Sequence, residues 1–370
     1  MVFEPWPILS GELMKLARLL SHLLPVLAVS AGGPGLAQPV ITPRSDTWVV
    51  KDFQFHTGVV LPELRLHYTT LGDPRHEPVL ILHGTNGSGA GLLNPAFGGE
   101  LFGPGQPLDA SRYFVILPDA IGTGQSSKPS DGLRAQFPAY NYADMVAAQY
   151  RLVTEHLGIR RLRLVLGNSM GGMQTWLWAT QYPHMMDIAV PMASRPTPMS
   201  GRNWLLRRLL VESIRRDPLW MNGQYTQQPP SLQLASVFFV AAFNGGDQGL
   251  QQRLPSSDQG DTWVQERLSE SFAGDANDHL FQWESAKDYD ASKQLRSIQA
   301  RVLVINSADD ERNRPELEVW DSVTSQVKDI RIHLIPASAD TLGHGTTGQA
   351  RWWKQELDAV LKGTPTRANP

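Results

Sequence analysis

The sequence predicts an α/β protein: a mostly parallel sheet flanked by helices, with a helical cap inserted after the sixth strand. Three observations carry this expectation. From about Thr47 onward, strand-like and helix-like segments alternate, the pattern of parallel strands joined by crossover helices. The run Gly167-Asn168-Ser169-Met170-Gly171-Gly172 directly follows the apolar stretch Leu162 to Leu166, so a strand ends in Gly-x-Ser-x-Gly and turns straight into a helix. Residues 195–300 hold no convincing strand, yet contain WLLRRLLVESI, SLQLASVFFVAAF and DTWVQERLSESF, all with helical spacing.

Taken in chain order, the first 37 residues read as a secretory signal rather than as part of the fold. Lys15 and Arg18 precede an apolar run that ends in the small-residue sequence Gly35-Leu36-Ala37. Residues 1–13 look like an upstream extension, with Met14 the more natural start. His22, Pro25 and the Gly/Pro cluster at 32–35 break the run below the ~20 apolar residues of a membrane span. Cleavage after Ala37 would give an exported protein, periplasmic or secreted, with no stable membrane span.

The first part of the core is expected over residues 38–194. TWVVKDF and LRLHYTTLG read as a leading hairpin pair, followed by the strands PVLILHG, YFVILPD, RLRLVLG and DIAVPMA. YADMVAAQYRLVTEHLG and MGGMQTWLWATQYP read as helices, the second stopping at Pro183. The cap is expected over residues 195–300. The second part of the core, 301–363, supplies the strands RVLVINS and IRIHLIP and a last helix, TTGQARWWKQELDAVLKG. The tail 364–370 has no pattern.

The Gly-x-Ser-x-Gly turn carries the chemistry. It forces the serine backbone toward positive φ, and only neighbours without side chains let the chain pass that close to itself. The Ser169 hydroxyl then stands at a helix N-terminus, where the Met170 N–H and the helix dipole favour negative charge. A serine hydroxyl is a poor nucleophile alone, so the turn predicts a histidine base and an orienting carboxylate, in the order Ser, Asp, His. His344, flanked by glycines in the loop after the last strand, is the expected base. Asp309 and Asp310 both come just after the preceding strand; Asp310 is the expected acid, with its neighbour capping the next helix. A second oxyanion donor is expected from Thr85, in the loop after the third strand. His83 reads as a residue holding that loop, His333 as packed or paired within a strand, and PDAIGTGQSS as a strand-end turn whose glycines relieve crowding.

Composition narrows the alternatives. The chain has 370 residues, 41% of them hydrophobic and 19% charged, with a net charge of −3, so no field draws in nucleic acid. It has no cysteine, which excludes disulfides, zinc thiolates and a cysteine nucleophile. HExxH and GxxxxGK[ST] are both missing, so the expected chemistry uses no cofactor and no metal. Oligomeric state is not readable from the sequence.

GNSMGGMQTWLWATQYP, with LHG, YFVILPDAIGTGQSS, IRRDPLWMNGQY and LGHG, resembles the homoserine O-acetyltransferase branch of the α/β-hydrolase superfamily over most of residues 47–360. The resemblance implies the α/β-hydrolase fold, with Ser169 acylated, His344 shuttling the proton and Asp310 orienting it. Two positions depart from the branch. Where its acetyltransferases carry an arginine for the amino-acid carboxylate, this chain has Val211; where they carry an aspartate suited to the amine, it has Gly345. Arg208 or Arg215 could stand in for the arginine only with a shifted helix register. The expected function is therefore a serine hydrolase cleaving a small-molecule ester, or an amide or lactone. The alternatives are an O-acyltransferase of the homoserine O-acetyltransferase type and a silent binding protein on the same fold.

Overall fold

The strands at the middle of the sheet are continuous apolar runs because helices cover both of their faces. The computed structural model describes residues 42–366 except Glu318. The proposed signal segment and its cleavage point lie outside the described residues. Among the described residues eight strands form one sheet: β1 (Arg44–Gln54), β2 (Val60–Leu71), β3 (Glu77–Leu82), β4 (Tyr113–Pro118), β5 (Leu162–Asn168), β6 (Met186–Met192), β7 (Arg301–Ser307) and β8 (Ile330–Ile335). Their spatial order is β1-β2-β4-β3-β5-β6-β7-β8. β1 pairs antiparallel with β2, and β2 with β4; every other pairing is parallel. Each matches a strand read from the sequence.

Among the described residues ten α-helices accompany the sheet: α1 (Gly98–Leu101), α2 (Tyr142–Arg151), α3 (Met170–Gln181), α4 (Gly201–Arg215), α5 (Ser231–Phe243), α6 (Asp247–Arg253), α7 (Ser257–Ser269), α8 (Ala276–Glu284), α9 (Trp320–Thr324) and α10 (Lys354–Gly363). Two apolar clusters lie against the sheet. One gathers Val165, Trp176 and Trp178; the other gathers Leu164, Leu166, Trp353 and Leu357. Alternate residues of β5 thus feed opposite clusters, as a strand's two-residue period requires. Between β6 and β7 the chain is helical, α4 to α8, and builds its own small core around Val211, Ile214, Phe243, Leu280 and Trp283. Among the described residues no helix is long and apolar enough to cross a membrane.

The last helix begins later than the sequence pattern suggested. Residues 343–348 and 350–352 form 3-10 turns, and α10 starts only at Lys354. Thr346 is the cause on one side: its hydroxyl accepts the Leu342 N–H at 2.8 Å and so fixes a tight turn in place of a helical one.

Candidate active site

Ser169 sits between β5 and α3 at φ 58°, ψ −112°, a conformation costing a non-glycine residue about 1–3 kcal/mol. The surroundings impose it. The Ser169 N–H donates to the Met192 carbonyl at 2.9 Å, and its carbonyl accepts from Met173 N at 3.0 Å. Three glycines make room. A Cβ on Gly167 would lie 2.1 Å from the Gly171 oxygen, one on Gly171 2.2 Å from the Leu82 oxygen, and one on Gly172 2.3 Å from the Met192 oxygen. The helix therefore rests directly on the ends of β3 and β6, and no larger residue fits.

The structure brings Ser169, His344 and Asp310 together. His344 Nε2 lies 2.7 Å from Ser169 Oγ, and its Nδ1 lies 3.0 and 2.9 Å from the two Asp310 oxygens. With Nδ1 protonated toward the carboxylate, Nε2 is left as the acceptor for the serine proton. Asp310 is fully buried and also accepts from Arg312 N at 2.8 Å, Asn313 N at 3.1 Å and Asn313 Nδ2 at 2.8 Å. Burial would raise its carboxyl, but the facing His344 and these donors outweigh it and hold the group down at about 2. Burial, and then the positive charge of Arg312, pushes the His344 imidazole below its ordinary value despite Asp310. The neutral ring a general base needs is thus favoured.

The two aspartates divide the work. Asp309 accepts from the hydroxyls of Ser307 and Thr341 and from Gly343 N at 3.3 Å. It braces the turn that carries His344 and does not cap a following helix. Sequence reasoning missed three further braces. Glu311 accepts the backbone N–H of His344 and of Gly246, each at 2.8 Å. Thr347 donates to Asn168 at 2.6 Å, tying the histidine turn to the serine turn. All of them hide in polar stretches that read as plain loop.

The loop after β3 runs alongside Ser169: a Cβ on Gly84 would lie 3.6 Å from Ser169 Cβ. Thr85 follows Gly84. Met170 opens α3, so its N–H belongs to the first helical turn, which has no intrahelical acceptor. His83 fastens the loop: its Nε2 accepts from Ala120 N at 3.0 Å, and Nδ1–H reaches the Gly84 carbonyl at 2.8 Å. In the neighbouring turn, Gly122 and Gly124 adopt φ 86° and 56° against Tyr140 and Asp119. His333 lies 3.9 Å from Glu356. Among the described residues no group of three or more His, Asp or Glu side chains is arranged to hold a metal.

The positions that depart from the family pattern are also placed. Val211 is 1% exposed in the core of the helical insert. Arg208 and Arg215 are both committed to Glu284, at 3.3 and 2.7 Å, and Arg208 also pairs with Glu212. Neither faces the triad as a free cation.

The model of the α/β-hydrolase fold family matches residues 77–333. A homoserine O-acetyltransferase from Solidesulfovibrio magneticus is 34% identical over 69% of this chain and 67% of its own length. The chain spans about half the length of several other curated homoserine O-acetyltransferases that it matches. Among solved structures, a homoserine O-acetyltransferase from Bacillus anthracis superposes with a TM-score of 0.75 at 22% identity, covering 89% of this chain and 99% of that one. An acetylester hydrolase from Corynebacterium glutamicum superposes with a TM-score of 0.72 at 21% identity, covering 86% and 96%. At those identities the two structures speak for the fold alone. Sheet order, serine turn, family match and relatives agree: the chain belongs to the α/β-hydrolase fold family, within its homoserine O-acetyltransferase-like branch.

Proposed function

We propose that this protein transfers an acyl group through an acyl-Ser169 intermediate to the hydroxyl of a small-molecule acceptor. His344 acts as base, Asp310 orients it, and the Met170 and Thr85 amides stabilise the oxyanion. In the first half-reaction Ser169 Oγ attacks the acyl carbonyl while its proton passes to Nε2; the leaving alcohol or thiol takes that proton. In the second, the acceptor hydroxyl gives its proton to Nε2, its oxygen bonds the acyl carbon, and Ser169 Oγ leaves with the proton.

The observation that carries a hydroxyl acceptor over water is kinship: curated relatives that the chain matches are homoserine O-acetyltransferases, one of them 34% identical over 67% of its own length. We place the cap function in the helical insert of residues 195–300, whose residues Gly245 and Gly246 bond to Leu342 and Glu311 beside the histidine turn. The sequence alone favoured water as acceptor, and Val211 and Gly345 still speak for that second reading, because they remove both anchors for an amino acid. If the chain is exported, as its first 37 residues suggest, the acyl donor would be an oxygen ester, since coenzyme A thioesters are scarce outside the cytoplasm.

The test follows the fate of the acyl group. 4-Nitrophenyl acetate is supplied with and without hydroxy compounds at millimolar concentration, and products are resolved by mass spectrometry. Transfer predicts a new ester as the main product with at least one acceptor; free acetate throughout the panel would favour hydrolysis. Fluorophosphonate labelling of wild type and not of Ser169→Ala is expected, and no labelling of folded wild type would overturn both readings.

A further inference from the structure

Two guanidinium groups are buried near the triad without a carboxylate paired to either; Asp310 and Glu311 favour the charge of Arg312 but do not bond its guanidinium. Arg207, on α4, is 1% exposed, and Arg312, two residues past Asp310, is 5% exposed. Among the described residues neither forms an ion pair with a carboxylate. Arg207 spends one donor, Nε, on Asn203 at 3.1 Å, and its Nη1 is buried without a partner. Arg312 Nε is likewise buried and unpartnered. The nearby acids are already occupied: Asp310 by His344, Asn313 and Arg312 N, and Glu311 by the amides of His344 and Gly246.

The arginines share one aromatic wall. Arg312 stacks over Phe243 and Phe239 with Cζ 4.3 and 4.7 Å from the ring centroids, and Arg207 lies 5.7 Å from the Phe239 ring. Stacking of this kind satisfies no N–H donor. Burying a cation that forms no ion pair is unfavourable, and ring contacts offset only part of that. Two further polar atoms are left over at the same place. Tyr142 OH and Thr85 Oγ1 are buried near each other, neither with a partner in good hydrogen-bond geometry, and Thr85 is the residue whose amide is proposed above as an oxyanion donor. Arg312 follows Asp310 by two residues and gives it its backbone N–H, Thr85 follows Gly84 alongside Ser169, and Arg207 shares the Phe239 ring with Arg312, so these donors gather on the triad's side of the helical insert.

We propose that Arg207 and Arg312 form a carboxylate-binding subsite, so that the acceptor, or the alcohol part of the ester, is a hydroxy acid rather than a neutral alcohol. A carboxylate has four lone-pair positions and answers two guanidinium forks at once. The pair is not the arginine position of the family pattern, which is Val211 here; Arg207 lies one helical turn earlier, on the same face of α4. Asp310 and Glu311, the acids that act on Arg312, are taken by other donors, and Gly345 replaces the family's aspartate, so the ligand carries no ammonium group beside its acid. This inference rests on the acyl-Ser169 reading above, and its test separates the two.

The first measurement needs no turnover. In Ser169→Ala, 4-hydroxybutyrate is titrated against its neutral counterpart 1,4-butanediol, with binding read by thermal shift at fixed ionic strength. A saturable rise in Tm with the acid alone is expected, and it is lost in Ser169→Ala/Arg207→Gln and in Ser169→Ala/Arg312→Gln. The second measurement compares kcat/KM for O-acetyl-4-hydroxybutyrate, its methyl ester and O-acetylhomoserine. Wild type should favour the free acid over the methyl ester by about 10–100-fold, the worth of charge-assisted hydrogen bonds, and over the zwitterion as well. Either arginine variant should shrink that ratio toward one. Equal turnover of acid and methyl ester by wild type would overturn the subsite while leaving acyl transfer intact. Carboxylate binding without turnover of any ester would leave the subsite intact and overturn the acyl-transfer reading. Preference for O-acetylhomoserine would overturn the assignment of a ligand without an ammonium group. Should the variants fail to fold, the wild-type ratio decides alone.

Discussion

Replacing Asp310 by asparagine tests the proposed triad at its least accessible member. The side chain keeps its size, and the backbone N–H groups of Arg312 and Asn313 both point at Oδ1, so the amide oxygen is retained there. The amide nitrogen then takes the place of Oδ2, 2.8 Å from Asn313 Nδ2 and 2.9 Å from His344 Nδ1. Nδ1 then keeps only the neutral amide oxygen, at 3.0 Å, as an acceptor and meets a donor at 2.9 Å, so the tautomer with the proton on Nε2 gains population. In that tautomer Nε2, 2.7 Å from Ser169 Oγ, can no longer accept the serine proton. The imidazolium formed during attack also loses its counter-charge. Together these effects should lower kcat by about four orders of magnitude, about 5 kcal/mol of transition-state stabilisation. The assay is steady-state release of 4-nitrophenolate from 4-nitrophenyl acetate, with circular dichroism showing that the variant folds. Asp309→Asn, which disturbs the bonds to Thr341 and Ser307 but not the imidazole, should cost far less. A folded Asp310→Asn enzyme within tenfold of wild type, or a larger loss from Asp309→Asn, would refute the assignment.

The same geometry yields other outcomes. Gly171→Ala places a methyl group 2.2 Å from the Leu82 oxygen, so α3 must lift from β3; a loss of about 3 kcal/mol or more in denaturant unfolding is expected, with activity falling in step. Because burial and Arg312 lower the His344 imidazole and the neutral ring is the active form, kcat/KM should rise with pH along a limb whose midpoint lies below 6.5. Arg312→Met removes a positive neighbour and should move that midpoint upward; a downward move would contradict the electrostatics. His83→Ala leaves the Ala120 N–H unsatisfied and frees the Gly84 carbonyl, so it should cost about 1–3 kcal/mol and lower kcat more than it raises KM.

Strand identity was legible because burial on both faces writes itself as unbroken apolar runs, as in Leu162 to Leu166, and because such runs stop at glycine. Ser169 and His344 were legible for a related reason: glycines mark the places where backbone must pass close to backbone. The choice between Asp309 and Asp310 was not, since adjacent residues on a turn point in different directions and only Ser307, Thr341 and His344 decide which goes where. The arginine pair was the least visible. In Glu311-Arg312-Asn313-Arg314 an arginine reads as solvated surface, and its burial depends on Phe239 and Phe243, some seventy residues earlier. Arg207 sits in a helix beside Arg208, and which of the two turns inward is set by how α4 docks, a property of packing against α5 and α8 that a helical period does not encode.

The helical excursion departs at the end of β6 and rejoins the sheet at β7, and these two strands are side-by-side partners. Lengthening, trimming or exchanging everything between them leaves the strand order untouched, and the entropic toll of a longer connection grows only by roughly 0.6 kcal/mol per doubling. One contiguous stretch of gene thus encodes the whole insert, and a change within it leaves intact the strand pairing that holds the turns bearing Ser169 and His344.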